Sequence, residues 1–415
     1  MTDGKKHHGA TGREAFDQRV SVAISLARLV LMGGIVVGHA LLLGDFWAVY
    51  APADLGYPAG PGSLAAFRAV LAGQGGALDR TALAGGLLFW SLNFSFYALS
   101  GFSLWLAVRR RGQFDLRDYF FGRFFGIYLG FAAAALAAFA VWVGILGHAP
   151  GEHDLNFLLL GVARARETMA YNDTLWFLTV LFVLYLVFPV VPLCYRYLRL
   201  WGLLGLWALF TWLRLRGLLS GVSFLPTAFS FFLLGILAAD LVHLLGDRLR
   251  GRLGQWLLTA LAAVVAAVCL ARLYALGYAD QLGKTEVNYD SHAIGTAAFL
   301  LLLSLGLLVP GGPRLGGALR LAARGTFAVY LYHYLLFQLY RHAPGVHQAV
   351  LAAVSGLPAV VREHFTLGCL VLYGGLLAGG VAYQAAFDRF VSGPLRRAFA
   401  EPLVLETKKR RQEVS

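Results

Sequence analysis

The chain has 415 residues, of which 59% are apolar and only 14% charged, with a mean hydropathy of +0.66. Soluble domains carry about a quarter charged residues, so this composition argues against an ordinary soluble enzyme. The net charge of +13 lies in short clusters between apolar blocks, without a basic stripe interleaved with aromatics, which argues against a nucleic-acid surface.

A helix crossing the hydrocarbon needs roughly 20 apolar residues, and blocks of that size recur between Val20 and Phe390. The sequence therefore predicts an all-α polytopic membrane protein of about ten transmembrane helices. They are expected near 20–43, 82–108, 124–147, 174–193, 200–213, 222–245, 253–276, 292–309, 325–340 and 366–390. Residues 1–19 form an N-terminal segment, 20–390 one membrane domain and 391–415 a basic tail. With the N-terminus inside, the inner segments hold 24 Lys and Arg and the outer segments 9. That excess predicts cytoplasmic termini and a multi-pass protein of the cell (inner) membrane. The basic clusters Arg109–Arg111 and Lys408–Arg411 would lie against anionic lipids. Cys194, Cys269 and Cys369 have no metal-ligand spacing and read as small core residues. No cleavable signal peptide is expected, because Arg28 interrupts the first apolar block and no small-residue cleavage site follows.

In the first predicted helix, Arg28 and His39 are eleven residues apart, close to three full turns, so both project from one face. They stand roughly 16 Å apart at 1.5 Å per residue. Ionisable groups inside a membrane are costly and face a cavity or a partner. An anion-binding arginine and a proton-handling imidazole suit a path across the bilayer; a snorkelling Arg and a His bonded to a neighbouring helix are the plainer alternative. The loop to the second helix carries Pro52, Pro58 and Pro61 among glycines, as a cap over an outward cavity or as irregular surface.

The second helix contains Ser100 and Gly101, small residues that line helix contacts in membranes. Arg123 opens the third helix, where it would bind phosphates or anchor to lipid. The fourth begins near Asp173, which offers a carboxylate to a histidine, and Trp176, whose plain reading is an interfacial belt residue. The ninth places His333 at mid-membrane among Tyr330, Tyr332 and Tyr334. His7, His8, His148, His153, His342, His347 and His364 fall in termini or loops and read as solvated. No metal-ligand, nucleotide-binding or GxSxG motif is present.

Four features together resemble the acyltransferase 3 family of integral membrane acyltransferases. They are Arg28-x10-His39, Leu99-Ser100-Gly101-Phe102, Leu175-Trp176-Phe177-Leu178 and Tyr330-Leu331-Tyr332-His333. The sequence departs from the family's pattern in the third helix. A pair of arginines three residues apart, followed by Ile-x-Pro, is usual there; here Gly126 replaces the second arginine and Leu129 the proline. The usual acidic residue before the arginine of the first helix is also missing. The resemblance implies transfer of an acyl group, usually acetyl, from cytoplasmic acyl-CoA to a hydroxyl of a glycan, lipid-linked sugar or small product. Acyl-CoA is then a co-substrate, and no permanently bound cofactor or metal is implied. Arg28 and Arg123 would hold the donor phosphates. His39 and His333 would carry the chemistry, and Ser100, Asp173, Trp176 and Tyr330 would line the substrate pocket.

On charge alone, Arg28, His39, Asp173 and His333 equally suit a transporter or flippase for a polar or polyprenyl-linked sugar. Transporters often contain two related halves, and no internal repeat is visible here, which favours the enzyme.

Overall fold

A computed structural model describes residues 4–42, 89–112, 114–149, 175–216, 225–276, 289–310 and 312–399. The proline-bearing loop after the first helix, Asp173 and the tail from residue 400 lie outside them. All regular structure among the described residues is helical. Helix α1 spans Gly4–Leu42 and α2 spans Phe89–Arg111. A continuous span α3, Leu116–Ile145, starts on Asp115, whose carboxylate accepts from the Asp118 amide at 3.0 Å. Then come α4 (Trp176–Val187), α5 (Val190–Leu215), α6 (Leu225–Leu244), α7 (Arg252–Leu276) and α8 (Tyr289–Leu308). Helix α9 (Pro313–His342) and α10 (Pro344–Ser355) each open on a proline, which has no N–H to lose in a first turn. The last long helix, α11, is Phe365–Phe387.

Each of the ten predicted segments is thus mainly helical where it is described, the fourth being broken at Phe188 and Pro189. Their number as membrane spans is a narrower question. Among the described residues five helices are long and apolar enough to cross a membrane, or six if α4 and α5, bent by 60° at their junction, form one span. The bend falls at Phe188 and Pro189, and Pro192 lies one turn further on. A proline has no N–H to give the preceding turn, which makes this the weak point of the helical run. The expected boundary between the fourth and fifth segments, residues 194–199, coincides with a second irregularity. Arg199 has φ 53° and ψ −143°, a conformation that breaks α5 into two limbs.

Helix α1 is the hub. It packs against α2, α8, α9 and α11, while α2 also packs tightly against α6. That last contact explains Gly101: a Cβ there would overlap the Phe232 carbonyl, and one at Gly235 would overlap the Ala98 carbonyl. Small residues let the two backbones touch, which is how helices associate where lipid removes the hydrophobic driving force. The interior is filled by Tyr97, Phe102, Trp105, Phe131, Phe232 and Phe299, all fully buried. By contrast Leu253, Trp256, Leu257, Leu261, Val264 and Val268 of α7 are exposed. An apolar face of that length suits lipid rather than water.

Candidate active site

His39 and His333 meet. The apolar stretches of α1 and α9 pack side by side, and His39 Nδ1 lies 3.0 Å from His333 Nε2. His333 is fully buried, and its Nδ1 sits 2.9 Å from the Val329 carbonyl and 3.0 Å from that of Tyr330. Carbonyl oxygens only accept, so in the neutral pair the His333 proton is on Nδ1 and its Nε2 bears the lone pair. His39 must then donate from Nδ1, which makes its own Nε2 the basic nitrogen. The tautomer of His39 is thus set through His333 and by its own hydrogen bond to the Ile35 backbone. The ring of Tyr334 meets that of His39 edge-on at 5.7 Å.

An aromatic row leads away from this pair. His333 lies 6.1 Å from Tyr330, Tyr330 5.4 Å from Phe177 of α4, and Phe177 4.4 Å from Tyr97 of α2, in a stack. Trp176 is half-buried at the head of α4, its ring 6.2 Å from Phe177. Among the described residues the buried Tyr97 hydroxyl has no hydrogen-bond partner, and it lies within electrostatic range of Tyr330. Such a donor costs about 1–3 kcal/mol to leave unsatisfied, so it calls for an explanation. Ser100 is half-buried beside Gly101. Asp173, expected as a histidine partner, lies outside the described residues. His333 occupies the nitrogen of His39 at which such a carboxylate would orient the ring.

Roughly 16 Å along α1 from His39, at 1.5 Å per residue, Arg28 lies within electrostatic range of Arg123 and Tyr185. The Arg123 guanidinium stands 5.4 Å over the Tyr185 ring and 5.9 Å over that of Tyr119, whose hydroxyl donates to the Tyr185 carbonyl at 2.8 Å. Arg28 stays accessible although its helix neighbours Ala27 and Leu31 are fully buried. Among the described residues neither arginine has an ion pair, and Arg123 Nε is buried without a hydrogen-bond partner. Two cations brought together without a carboxylate form a place that an anion would neutralise. A π-type turn, Phe124–Tyr128, follows Arg123 directly. It contains Gly126, where the expected second arginine is missing.

A third polar centre escaped the sequence reading. Asp240 of α6 is fully buried and accepts from Trp105 Nε1 at 3.1 Å and from the Tyr195 hydroxyl at 3.2 Å. Arg109 Nε lies 3.3 Å away. An acidic residue inside an apolar block is a signal in its own right. Tyr97 gives no such signal, since an unpartnered hydroxyl is visible only in three dimensions.

The sequence pattern of a known family, described as an acyltransferase domain, matches residues 21–361. The chain belongs to the acyltransferase 3 family. It matches no curated protein and no solved structure. Membership in the acyltransferase 3 family, together with the apolar helices, makes it a multi-pass membrane acyltransferase in general terms. The matched stretch contains both histidines, Arg28, Arg123 and Tyr97, and ends before α11.

Proposed function

We propose that the protein moves an acetyl group from acetyl-CoA to a hydroxyl of a glycan, lipid-linked sugar or small product, from a cell (inner) membrane with both termini cytoplasmic. The observation that carries this reading is that α1 joins two couples: its His39 meets His333 of α9, and its Arg28 lies near Arg123 of α3. Their separation of roughly 16 Å along the helix is comparable to the reach of an extended pantetheine arm. Phosphates rest at Arg28 and Arg123, and the thioester lies beside His39, where Trp176, Tyr330 and Ser100 enclose the acyl group.

In the reaction His39 Nε2 takes the proton of the acceptor hydroxyl as its oxygen attacks the thioester carbonyl carbon. The Tyr97 hydroxyl supplies a hydrogen bond to the oxyanion that forms. When the carbon–sulfur bond breaks, the CoA thiolate leaves and recovers the proton from His39. While His39 is cationic, its Nδ1–H remains bonded to His333 Nε2, so His333 holds the ring and spreads the charge. A neutral base thereby does work that a carboxylate-backed histidine does elsewhere, without burying a second charge.

The test is transfer of radiolabelled acetyl from acetyl-CoA to an envelope-glycan extract by membranes carrying the protein. Wild-type membranes should label the glycan. H39A should abolish labelling at unchanged protein level, and H333A should lower kcat by about a hundredfold, the scale of losing a group that orients a base. Full activity in H39A would sink the mechanism. Wild-type membranes that neither bind acetyl-CoA nor release CoA would sink the donor assignment.

A further inference from the structure

A further arginine reaches the start of α3, and it comes from outside the family-matched region. After α11 the chain makes a π-type turn, Asp388–Ser392, and continues in helix to residue 399. This segment docks on the start of α3. The Ser392 hydroxyl donates to the Phe125 carbonyl at 3.4 Å, and the Phe399 ring lies 6.1 Å from that of Phe125. The docking delivers Arg396 to Gly126: a Cβ built on Gly126 would lie 3.5 Å from a terminal guanidinium nitrogen of Arg396. Gly126 follows Arg123 by three residues, close to one helical turn, so positions 123 and 126 lie on neighbouring parts of one helix surface. Glycine leaves that place open, and a cation from another segment fills it. Among the described residues Arg396 has no ion pair, and its side chain is exposed.

We propose that Arg396 completes the phosphate-binding cluster of Arg28 and Arg123, so that the C-terminal segment is part of the donor site. This rests on the donor assignment above and extends it to a residue that the family-matched stretch, 21–361, does not include. An accessible guanidinium without a carboxylate suits a phosphate oxygen, which it binds through a forked pair of N–H donors. A phosphate can belong to the coenzyme or to the headgroup of an anionic lipid, and the docked segment favours the coenzyme. The flanking contacts through Ser392 and Phe399 hold the arginine in place, which a loosely lipid-anchored tail would not require.

The experiment is calorimetric titration of acetyl-CoA into the full-length protein in nanodiscs of purely zwitterionic lipid. Wild type, R396Q, R397Q and the double variant R396Q/G126R are compared. Loss of a charge-assisted phosphate contact should weaken R396Q by about tenfold or more. R397Q, the exposed neighbour, should bind like wild type. The double variant should recover most of the loss, because it returns a cation to the same place from α3. Equal affinity in R396Q and wild type, equal weakening in R397Q, or no recovery in the double variant would each overturn the assignment to Arg396. An R396Q defect that arises only in discs containing anionic lipid would transfer the arginine to the headgroup and overturn it too. If wild type itself fails to bind acetyl-CoA, the donor reading falls and takes this inference with it; loss confined to R396Q leaves the donor reading intact.

Discussion

Two charged regions flank the short connection from α2 to α3, and they are opposites. Asp240 is closed: Trp105, Tyr195 and Arg109 surround its carboxylate with two hydrogen bonds and an ion pair. Arg28 and Arg123 are open: among the described residues no carboxylate pairs with either. A closed buried network ties helices together, here α2, α5 and α6, and needs nothing from outside. An open one is unfavourable until a ligand arrives, and its fold must be held by something else. The difference separates structure from binding within one end of the same bundle.

The largest effect should come from breaking the closed region. D240A strands the Trp105 N–H, the Tyr195 hydroxyl and the Arg109 charge, and removing one member of a buried pair costs about 3–5 kcal/mol. The variant should melt well below wild type in a fluorescence thermal-shift measurement, and its transfer rate should fall only in step with the amount of folded protein. A D240A protein that melts like wild type but binds acetyl-CoA poorly would move Asp240 into the open class.

The open region should respond the other way. R123Q removes a cation that has no ion pair among the described residues and whose partners are the Tyr185 and Tyr119 rings, so the melting temperature should fall much less than in D240A. The KM for acetyl-CoA should rise by about tenfold or more, the effect of one charge-assisted contact, with kcat little changed. A large loss of thermal stability in R123Q, with KM unmoved, would erase the contrast between the two regions.

This contrast also shows what the sequence could and could not display. Helices were legible because apolar blocks of membrane length need no tertiary information, and each predicted segment is mainly helical where described. Arg28 and His39 were legible because they share a helix and an eleven-residue spacing. The bond from His39 to His333 was not, since it joins residues 294 apart and depends on how α1 packs on α9. Asp240 carried its own signal as a carboxylate in an apolar block, yet its partners come from two other helices. Arg396 carried none: a tail arginine reads as a lipid anchor until the fold sets it beside Gly126. The break at Pro189 was marked by proline, but the positive φ at Arg199 has no side-chain signature of its own.

Tyr97 refines the comparison, because it tests whether an open group can be functional without any charge. Its hydroxyl is buried with no partner among the described residues, on a ring stacked at 4.4 Å on Phe177. A hydroxyl with only a packing role would be better absent, since an apolar replacement of the same shape removes an unsatisfied donor. Y97F should therefore melt at or slightly above the wild-type temperature, a gain of about 1 kcal/mol or less. If the hydroxyl serves the oxyanion, kcat should nevertheless fall by about tenfold to a hundredfold, with KM for acetyl-CoA unchanged. Stability and rate then move in opposite directions, which no loss of packing can produce. A Y97F variant that gains stability and keeps its full kcat would return Tyr97 to the core and leave His39 without this donor.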